Sequence, residues 1–324
     1  MARAIVMRAP GGPEVLPAEQ VSVGEPRAGE VRVRQTVVGV NFHDIYVRTG
    51  LYQTLPLPGI PGLEAVGVVE ALAPEITHVK IGDRVGYVAP SYGAYADERL
   101  VDADLLIRLP DWLDDRTAAA TLLRGLTAQM LVYQVHKVEP GNLVLVHAAS
   151  GGVGRLLCQW AHRLGATVIG TVGSDEKAHI ARENGCDHII LYRRENFVER
   201  VQAITKGRGV DVAYDAVGKD TFLGSLHSLV RRGHLVNFGQ ASGPVEPISM
   251  ALLAQRSTTI SRPILFHYME EHSRREVMTA SVFTALRDGT ITAGAYHVYR
   301  LEDVGQAQRD MEERKTAGSV LLLP

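Results

Sequence analysis

Cysteine is nearly absent: the 324 residues contain two, Cys158 and Cys186. Two thiols cannot build a four-thiolate zinc lobe, and they do not suggest the disulfide framework of a secreted scaffold. Long apolar runs are missing as well. None approaches the roughly 18 residues a membrane-spanning helix needs, so no membrane partner is expected. An excess of one charge is also lacking. The 34 basic and 36 acidic residues leave a net charge of −2, which gives no field to draw nucleic acid or an anionic membrane. The opening MARAIVMRAPGGPEV has no apolar h-region. The expectation is a cytoplasmic chain without a signal peptide.

What is present has three textures. Residues 1 to about 120 carry short β-like runs, RAIVM, EVRVRQTVVGV, AVGVVEAL, DRVGYV and DLLIRL, separated by turn signals such as APGGP and PLPGIPG. That pattern reads as an antiparallel, barrel-like unit. From about 125 to 265, strand-like and helix-like segments alternate: NLVLVHA, VGRLLCQWAHRLGA, TVIGTV, SDEKAHIARENGC, HIILY, NFVERVQAITKGRG, VDVAYDAV, DTFLGSLHSLVRRGH and LVNFG. Strands alternating with helices of this length imply a parallel, doubly wound sheet. The tail from 266 has a helical segment, SRREVMTASVFTALRDG, and ends in SVLLLP, a strand expected to pair back with the first zone.

Gly151, Gly152 and Gly154 lie between NLVLVHA and the helical VGRLLCQWAHRLGA. Glycines at a strand-to-helix turn let backbone amides approach a pyrophosphate, and the helix N-terminus favours its charge. The pattern is A-x-G-x-x-G, with Ala149 at the first position. Its strand before, helix after and alternating units beyond supply the context that a short glycine motif lacks alone. An NAD site places an acid near the end of the second strand to hold the ribose 2′-hydroxyl. Here the tip is Gly173-Ser174, with Lys177 one turn on. Donors and a cation suit a 2′-phosphate, so NADPH is favoured. Asp175 and Glu176 are the counter-argument, since Asp175 turned inward would select NAD. Ser174 is also a candidate helix N-cap.

The stretch GVNFHDIYVRTGLY concentrates Asn41, His43, Asp44, Tyr46, Arg48 and Tyr52 in a few positions. A His beside an Asp suggests a metal, whereas two tyrosines and an asparagine suggest a metal-free pocket. Read as a continuation of the preceding strand, His43 and Asp44 point to opposite faces and make no chelate. His147 reads as a satisfied core residue, and Cys158 as core.

Together these segments resemble the medium-chain dehydrogenase/reductase superfamily, and within it the zinc-free quinone oxidoreductases of the NADPH:quinone reductase and zeta-crystallin group. The likeness runs from Met1 to Pro324. It is carried by VGVNFHDIYVRTGLY, PGLEAVGVVE, IGDRVGY, GAYADE, HAASGGVGRLLCQWAHRLGATVIGTVGSDEKA, YDAVGKDTF, RRGHLVNFGQASG, RPILFHY and GSVLLLP. It implies an α/β fold: a GroES-like, barrel-like catalytic domain, residues 1–124 and 266–324, plus a doubly wound parallel-sheet Rossmann domain, residues 125–265. Zinc relatives in the superfamily carry a metal-binding Cys where this chain has Asn41, and a Gly-His-Glu where it reads Gly62-Leu63-Glu64. The resemblance therefore implies no metal, and a structural role for Asp44.

By the same resemblance, Gly152 and Val153 meet the pyrophosphate, and Ser174, Lys177 and Tyr192 surround the 2′-phosphate. Phe238 and Gly239 lie where the cofactor crosses the strand ends, and Arg314 is a late basic residue brought to the cofactor. Asn41, Tyr46, Tyr52 and Thr127 line the nicotinamide and substrate cleft. The implied reaction is NADPH-dependent reduction of a quinone or other electrophilic small molecule. Alternatives are an enone or enoyl-thioester reductase, and a non-catalytic NADPH-binding or RNA-binding protein. STTISRP, residues 257–263, is the expected edge strand, through which a symmetric homodimer would form.

Overall fold

The computed structural model describes every residue from Met1 to Pro324. The chain divides into two compact units, Met1–Leu123 with Ala293–Pro324, and Arg124–Thr292.

The first unit is built around the long strand β3, Glu30–Val40. It follows a small antiparallel pair, β1 (Ala2–Ile5) with β2 (Ala18–Val21). The first half of β3 alternates buried and more open positions, and its last four residues are all buried. That switch matches its neighbours. Strand β4, Glu64–Leu72, runs antiparallel along one edge, and β5 (Arg84–Val88) and β7 (Leu106–Arg108) extend the sheet from there. The other edge of β3 is shared: β6 (Glu98–Asp102) pairs with residues 30–34, and the terminal strand Ser319–Leu323 pairs with residues 38–40. The apolar tail SVLLL thus closes back onto the first zone, as its composition predicts.

The stretch after β3 departs from expectation. Residues Phe42–Arg48 form a helix, α1, instead of continuing the strand. Asn41 is extended and serves as N-cap, and its N–H donates to Asp44 Oδ2 at 2.8 Å. A carboxylate at the third helical position reaching back in this way satisfies an otherwise orphaned donor. Seven residues are too few for a helical period to stand out.

Helix α2, Asp115–Gln129, contains the boundary between the units and continues as a π-helical stretch, Met130–Val135. The second unit holds a six-stranded, fully parallel sheet of β8 (Leu143–His147), β9 (Thr167–Val172), β10 (His188–Leu191), β11 (Val210–Asp215), β12 (Leu229–Asn237) and β13 (Thr259–Ser261). The spatial order is β10-β9-β8-β11-β12-β13. Order reverses between β8 and β11, the switch point at which doubly wound sheets bind ligands. Helices α3 (Gly152–Arg163), α4 (Asp175–Glu183), α5 (Phe197–Ile204) and α6 (Phe222–His227) connect the strands. Leu145, Ile169, Ala213 and Leu235 from the strands pack with Val201, Phe222 and Leu226 from α5 and α6 in one buried cluster. Burial of the sheet by helices explains why its strands read as continuous apolar runs.

Two boundaries differ from the sequence reading. Strand β12 begins at Leu229, inside the segment read as helical, because the chain bulges there: Val210 pairs with Leu229 but Val212 with His234. Arg232, in the bulge, is left-handed (φ 65°), and its N–H donates to the Arg256 carbonyl. Residues 266–292, read as part of the first domain, cluster with the second unit. The helix His272–Arg287 brings Val282 so close to Gly125 that a Cβ there would lie 2.9 Å from it. The Thr292 N–H donates to Gln159 Oε1 at 2.7 Å.

Candidate active site

In the second unit the turn after β8 is shaped by backbone packing. Ala148 takes a left-handed conformation (φ 52°), and the Gly151 N–H donates to its carbonyl at 2.8 Å. Gly151 is the N-cap of α3. A Cβ on Gly154 would collide with that same Ala148 carbonyl oxygen. Gly151, Gly152 and Val153 are half-exposed, and the N–H groups at the start of α3 beyond Gly151 are open to an anion. Thr127 is buried near the end of α2.

The tip of β9 answers the question Asp175 poses. Ser174 caps α4, its Oγ accepting the Lys177 N–H at 3.3 Å, which leaves the hydroxyl proton to donate elsewhere. Asp175 is turned outward: its carboxylate oxygens accept from Arg194 Nη1 at 3.2 Å and Nη2 at 2.8 Å, and both side chains are exposed. Over Gly173, a Cβ would come within 2.7 Å of the Tyr192 hydroxyl and 3.5 Å of Arg193 Nε. The tip therefore offers the Ser174 and Tyr192 hydroxyls and the Arg193 cation, with the Asp175 carboxylate engaged by Arg194, a donor set that suits a phosphate. Arg193 was missed in the sequence. Beside Arg194 it reads as one of two surface cations, and only the fold separates them.

At the end of β12, the Phe238 and Gly239 N–H groups both donate to the Asp215 carbonyl, at 2.9 and 3.3 Å. Arg262 clamps this corner by donating to the Gly239 carbonyl at 2.9 Å and to Asn237 Oδ1. His147 is buried with both ring nitrogens engaged, Nδ1 at 2.9 Å from Thr171 Oγ1 and Nε2 at 2.8 Å from Ser225 Oγ. Burial lowers its pKa. It is a core residue, as its place at the strand end suggested. The Cys158 and Cys186 sulfurs lie 3.4 Å apart as buried free thiols, and burial pushes the Cys158 thiol well up.

In the first unit, Asn41 Nδ2 donates to Glu64 Oε1 at 2.9 Å, and Glu64 Oε2 accepts the Leu123 N–H at 2.9 Å. Asp44, fully buried, accepts the Tyr95 hydroxyl at 2.8 Å on the same oxygen that caps Asn41. Its role is structural. The helix brings Tyr46 and Tyr52 edge to face at 5.1 Å, fixed by the Tyr52 N–H donating to the Tyr46 carbonyl at 2.9 Å. His43 packs edge-on against Tyr52 at 5.2 Å. Arg48, also buried, forms a two-point pair with Glu312, at 3.0 and 2.7 Å, tying α1 to the helix Val304–Glu312. Arg314, just past that helix, is left-handed (φ 61°) and exposed. No group of three or more His, Cys, Asp or Glu is arranged to hold a metal ion.

Comparison with known proteins agrees with this architecture. Residues 27–111 match the alcohol dehydrogenase GroES-like domain, and residues 152–281 match the zinc-binding dehydrogenase family. The second name mentions zinc, but the residues it matches are those of the parallel-sheet unit. A quinone oxidoreductase of Pseudomonas aeruginosa is 42% identical over 100% of both chains. The chain belongs to the quinone oxidoreductase family of the medium-chain dehydrogenase/reductase superfamily. A 2-haloacrylate reductase of a Burkholderia species is 43% identical over 100% of this chain and 99% of that one. The crystal structure of Escherichia coli quinone oxidoreductase complexed with NADPH superposes with a TM-score of 0.96, at 38% identity and full coverage of both chains. This family is the one the motifs in GVNFHD and HAASGGVG indicate.

Proposed function

We propose that this protein is a metal-independent, NADPH-dependent quinone oxidoreductase. The tip of β9 carries the reading: Asp175 is paired outward with Arg194, while Ser174, Lys177, Tyr192 and Arg193 supply donors and positive charge. The glycine turn suits the rest of a dinucleotide, because Gly154 lets the start of α3 pack against the Ala148 carbonyl while Gly152 and Val153 stay half-exposed. The Escherichia coli relative crystallised with NADPH supports the same cofactor. The second unit is then the dinucleotide-binding domain and the first the catalytic domain.

Bound NADPH would supply a hydride, the part of the chemistry a side chain cannot provide. The chain's own residues bind, orient and protonate. Gly152 and Val153 would hold the pyrophosphate, with Gly151 and Gly154 permitting the approach. Phe238 and Gly239 would border the cofactor at the strand ends, and Thr127 and Arg314 would complete its contacts. Asn41, Tyr46 and Tyr52 would bound the acceptor. Asn41 Nδ2 gives one hydrogen to Glu64 and keeps a second, so Asn41, Tyr46 or Tyr52 would donate to a developing oxyanion. A quinone reduced by hydride gives a fairly stable anion, so a metal Lewis acid is less needed than for a simple ketone. The test follows cofactor absorbance with NADPH and NADH in parallel, a simple quinone as acceptor, and chelator-treated protein. Quinone-dependent NADPH oxidation that survives the chelator supports the reading. Turnover that stops with the chelator and returns with zinc rejects it.

A second reading is reduction of an activated alkene, favoured by the 2-haloacrylate reductase relative. Assaying an enone and an enoyl thioester beside the quinone separates the two. Strand β13 lies at the sheet edge, and an unpaired edge invites a second strand. We accordingly place a homodimer interface at Ser257–Pro263. Light scattering at the 35.2 kDa monomer mass would reject it. We place the protein in the cytoplasm, consistent with its two unbridged thiols, and cell fractionation tests this.

A further inference from the structure

Three polar side chains that the reading above leaves unused form a continuous chain in the first unit. Thr54 Oγ1 lies 2.5 Å from the Tyr92 hydroxyl, and that hydroxyl lies 2.8 Å from His43 Nε2. Thr54 is exposed, Tyr92 buried and His43 half-buried, so the chain leads inward from solvent. It ends beside the tyrosines assigned to the acceptor, since the His43 ring meets Tyr52 at 5.2 Å and Tyr52 meets Tyr46 at 5.1 Å. Tyr92 holds this place in a left-handed conformation (φ 54°), which costs a non-glycine residue on the order of 1 kcal/mol. Arg99 fixes that backbone by donating to the Tyr92 carbonyl. The His43 hydrogen bond uses Nε2 and leaves Nδ1 for another partner.

Resting on the quinone-reductase reading, we infer that Thr54, Tyr92 and His43 form a proton relay from water to the reduced acceptor, with His43 as the final donor. Hydride addition brings the acceptor two electrons and one hydrogen, and oxidises NADPH to NADP⁺. A neutral product needs one further proton. His43 Nδ1–H gives it to the acceptor anion while Nε2 takes the Tyr92 proton. The Tyr92 oxygen takes the Thr54 proton, and Thr54 takes one from water, leaving hydroxide. Net consumption is one NADPH, one acceptor and one proton. The relay carries only the proton. It needs a neutral ring, with one nitrogen donating and the other accepting. Burial holds His43 neutral by lowering its pKa to about 4. Asp44 is a poor alternative, because its Oδ2 already accepts from Asn41 and Tyr95.

The experiment combines three variants with a readout independent of turnover. His43→Ala, Tyr92→Phe and Thr54→Val are assayed with NADPH and a simple quinone, and NADPH affinity is measured by fluorescence. His43→Ala should lose about a hundredfold in kcat, the low end of general-acid effects, with NADPH affinity unchanged. Added imidazole should restore it. Tyr92→Phe should lose kcat without imidazole rescue. Nitrogen NMR of the histidine-labelled protein should show His43 protonated at Nδ1 and accepting at Nε2. The relay is overturned if the parent turns over and His43→Ala keeps kcat within about twofold, well below a general-acid effect. Loss of kcat that imidazole does not restore, or an Nε2–H tautomer, overturns it too. A parent that reduces neither quinone nor enone rejects the functional reading instead, and the tautomer still tests the polarity of the chain.

Discussion

Asn41 and Glu64, 23 residues apart, are joined by a 2.9 Å hydrogen bond in which the amide donates to a carboxylate that is only 1% exposed. The other Glu64 oxygen holds the Leu123 N–H. One side chain thus ties the N-cap of α1 to β4 and to α2. Glu64→Leu removes the acceptor of the buried Asn41 amide, at about 1–3 kcal/mol for a buried unsatisfied group. A lower midpoint of urea unfolding, with a loss of acceptor turnover larger than the loss of NADPH affinity, is expected. An unchanged midpoint would mean the pair is not a structural tie.

Discrimination between the two cofactors should reside in a few side chains around Gly173. Lys177→Ala and Arg193→Ala remove charge from the tip of β9, and Tyr192→Phe removes a donor. Each should weaken NADPH by about 1.5–3 kcal/mol, the range for hydrogen bonds to a charged group, and leave NADH binding nearly unaltered. Parallel titrations decide it. Equal weakening of both cofactors would remove these residues from the 2′-phosphate site.

The glycine turn predicts opposite outcomes at two neighbouring positions. Gly154→Ala drives a Cβ into the Ala148 carbonyl, so dinucleotide binding should be lost. Ala148→Gly relieves a left-handed alanine (φ 52°), and the gain should be no more than about 1 kcal/mol, offset in part by unfolded-chain entropy. Thermal unfolding and cofactor titration of both variants test the pair.

Acid should destabilise the fold through histidines that burial holds neutral, the half-buried His43 and His234 among them. Burial lowers His43 and His234 from about 6.5 to about 4, and His136 near by adds to the effect on His234. Above pH 6.5 neither the folded nor the unfolded form is protonated at these sites. As pH falls from 6.5 toward 4, the unfolded chain takes up protons that the folded chain refuses, and stability declines. Below 4 both forms are protonated and the slope ends. At about 1.4 kcal/mol per pK unit, His43 contributes up to about 3 kcal/mol across that window. His234 contributes less, because solvent screens it more. Urea unfolding at pH 7.5 and 5 should show the decline, and His234→Asn should flatten it.

Much of the second unit was legible because its signals are local. Continuous apolar runs mark strands covered on both faces, Ser174 and Gly185 bracket α4, and three glycines mark the turn. SVLLL read as a strand from its composition, and the edge position of Thr259–Ser261 followed from the family resemblance. Helix α1 was not legible. Its seven residues hold too little period, and the decisive contact is a single Asp44 carboxylate on the Asn41 N–H. The outward turn of Asp175 depends on Arg194, 19 residues on, and Arg193 differs from it only in facing Gly173.

The sequence by itself determined the alternation of strands and helices, the glycine turn and the family, since all three rest on neighbours in the chain. Only the tertiary structure decided that Glu64 holds Asn41, that Asp175 pairs with Arg194, and that Thr54, Tyr92 and His43 line up. Each is a hydrogen bond between residues far apart in sequence. Its geometry exists only after the packing of the sheets has set the distances.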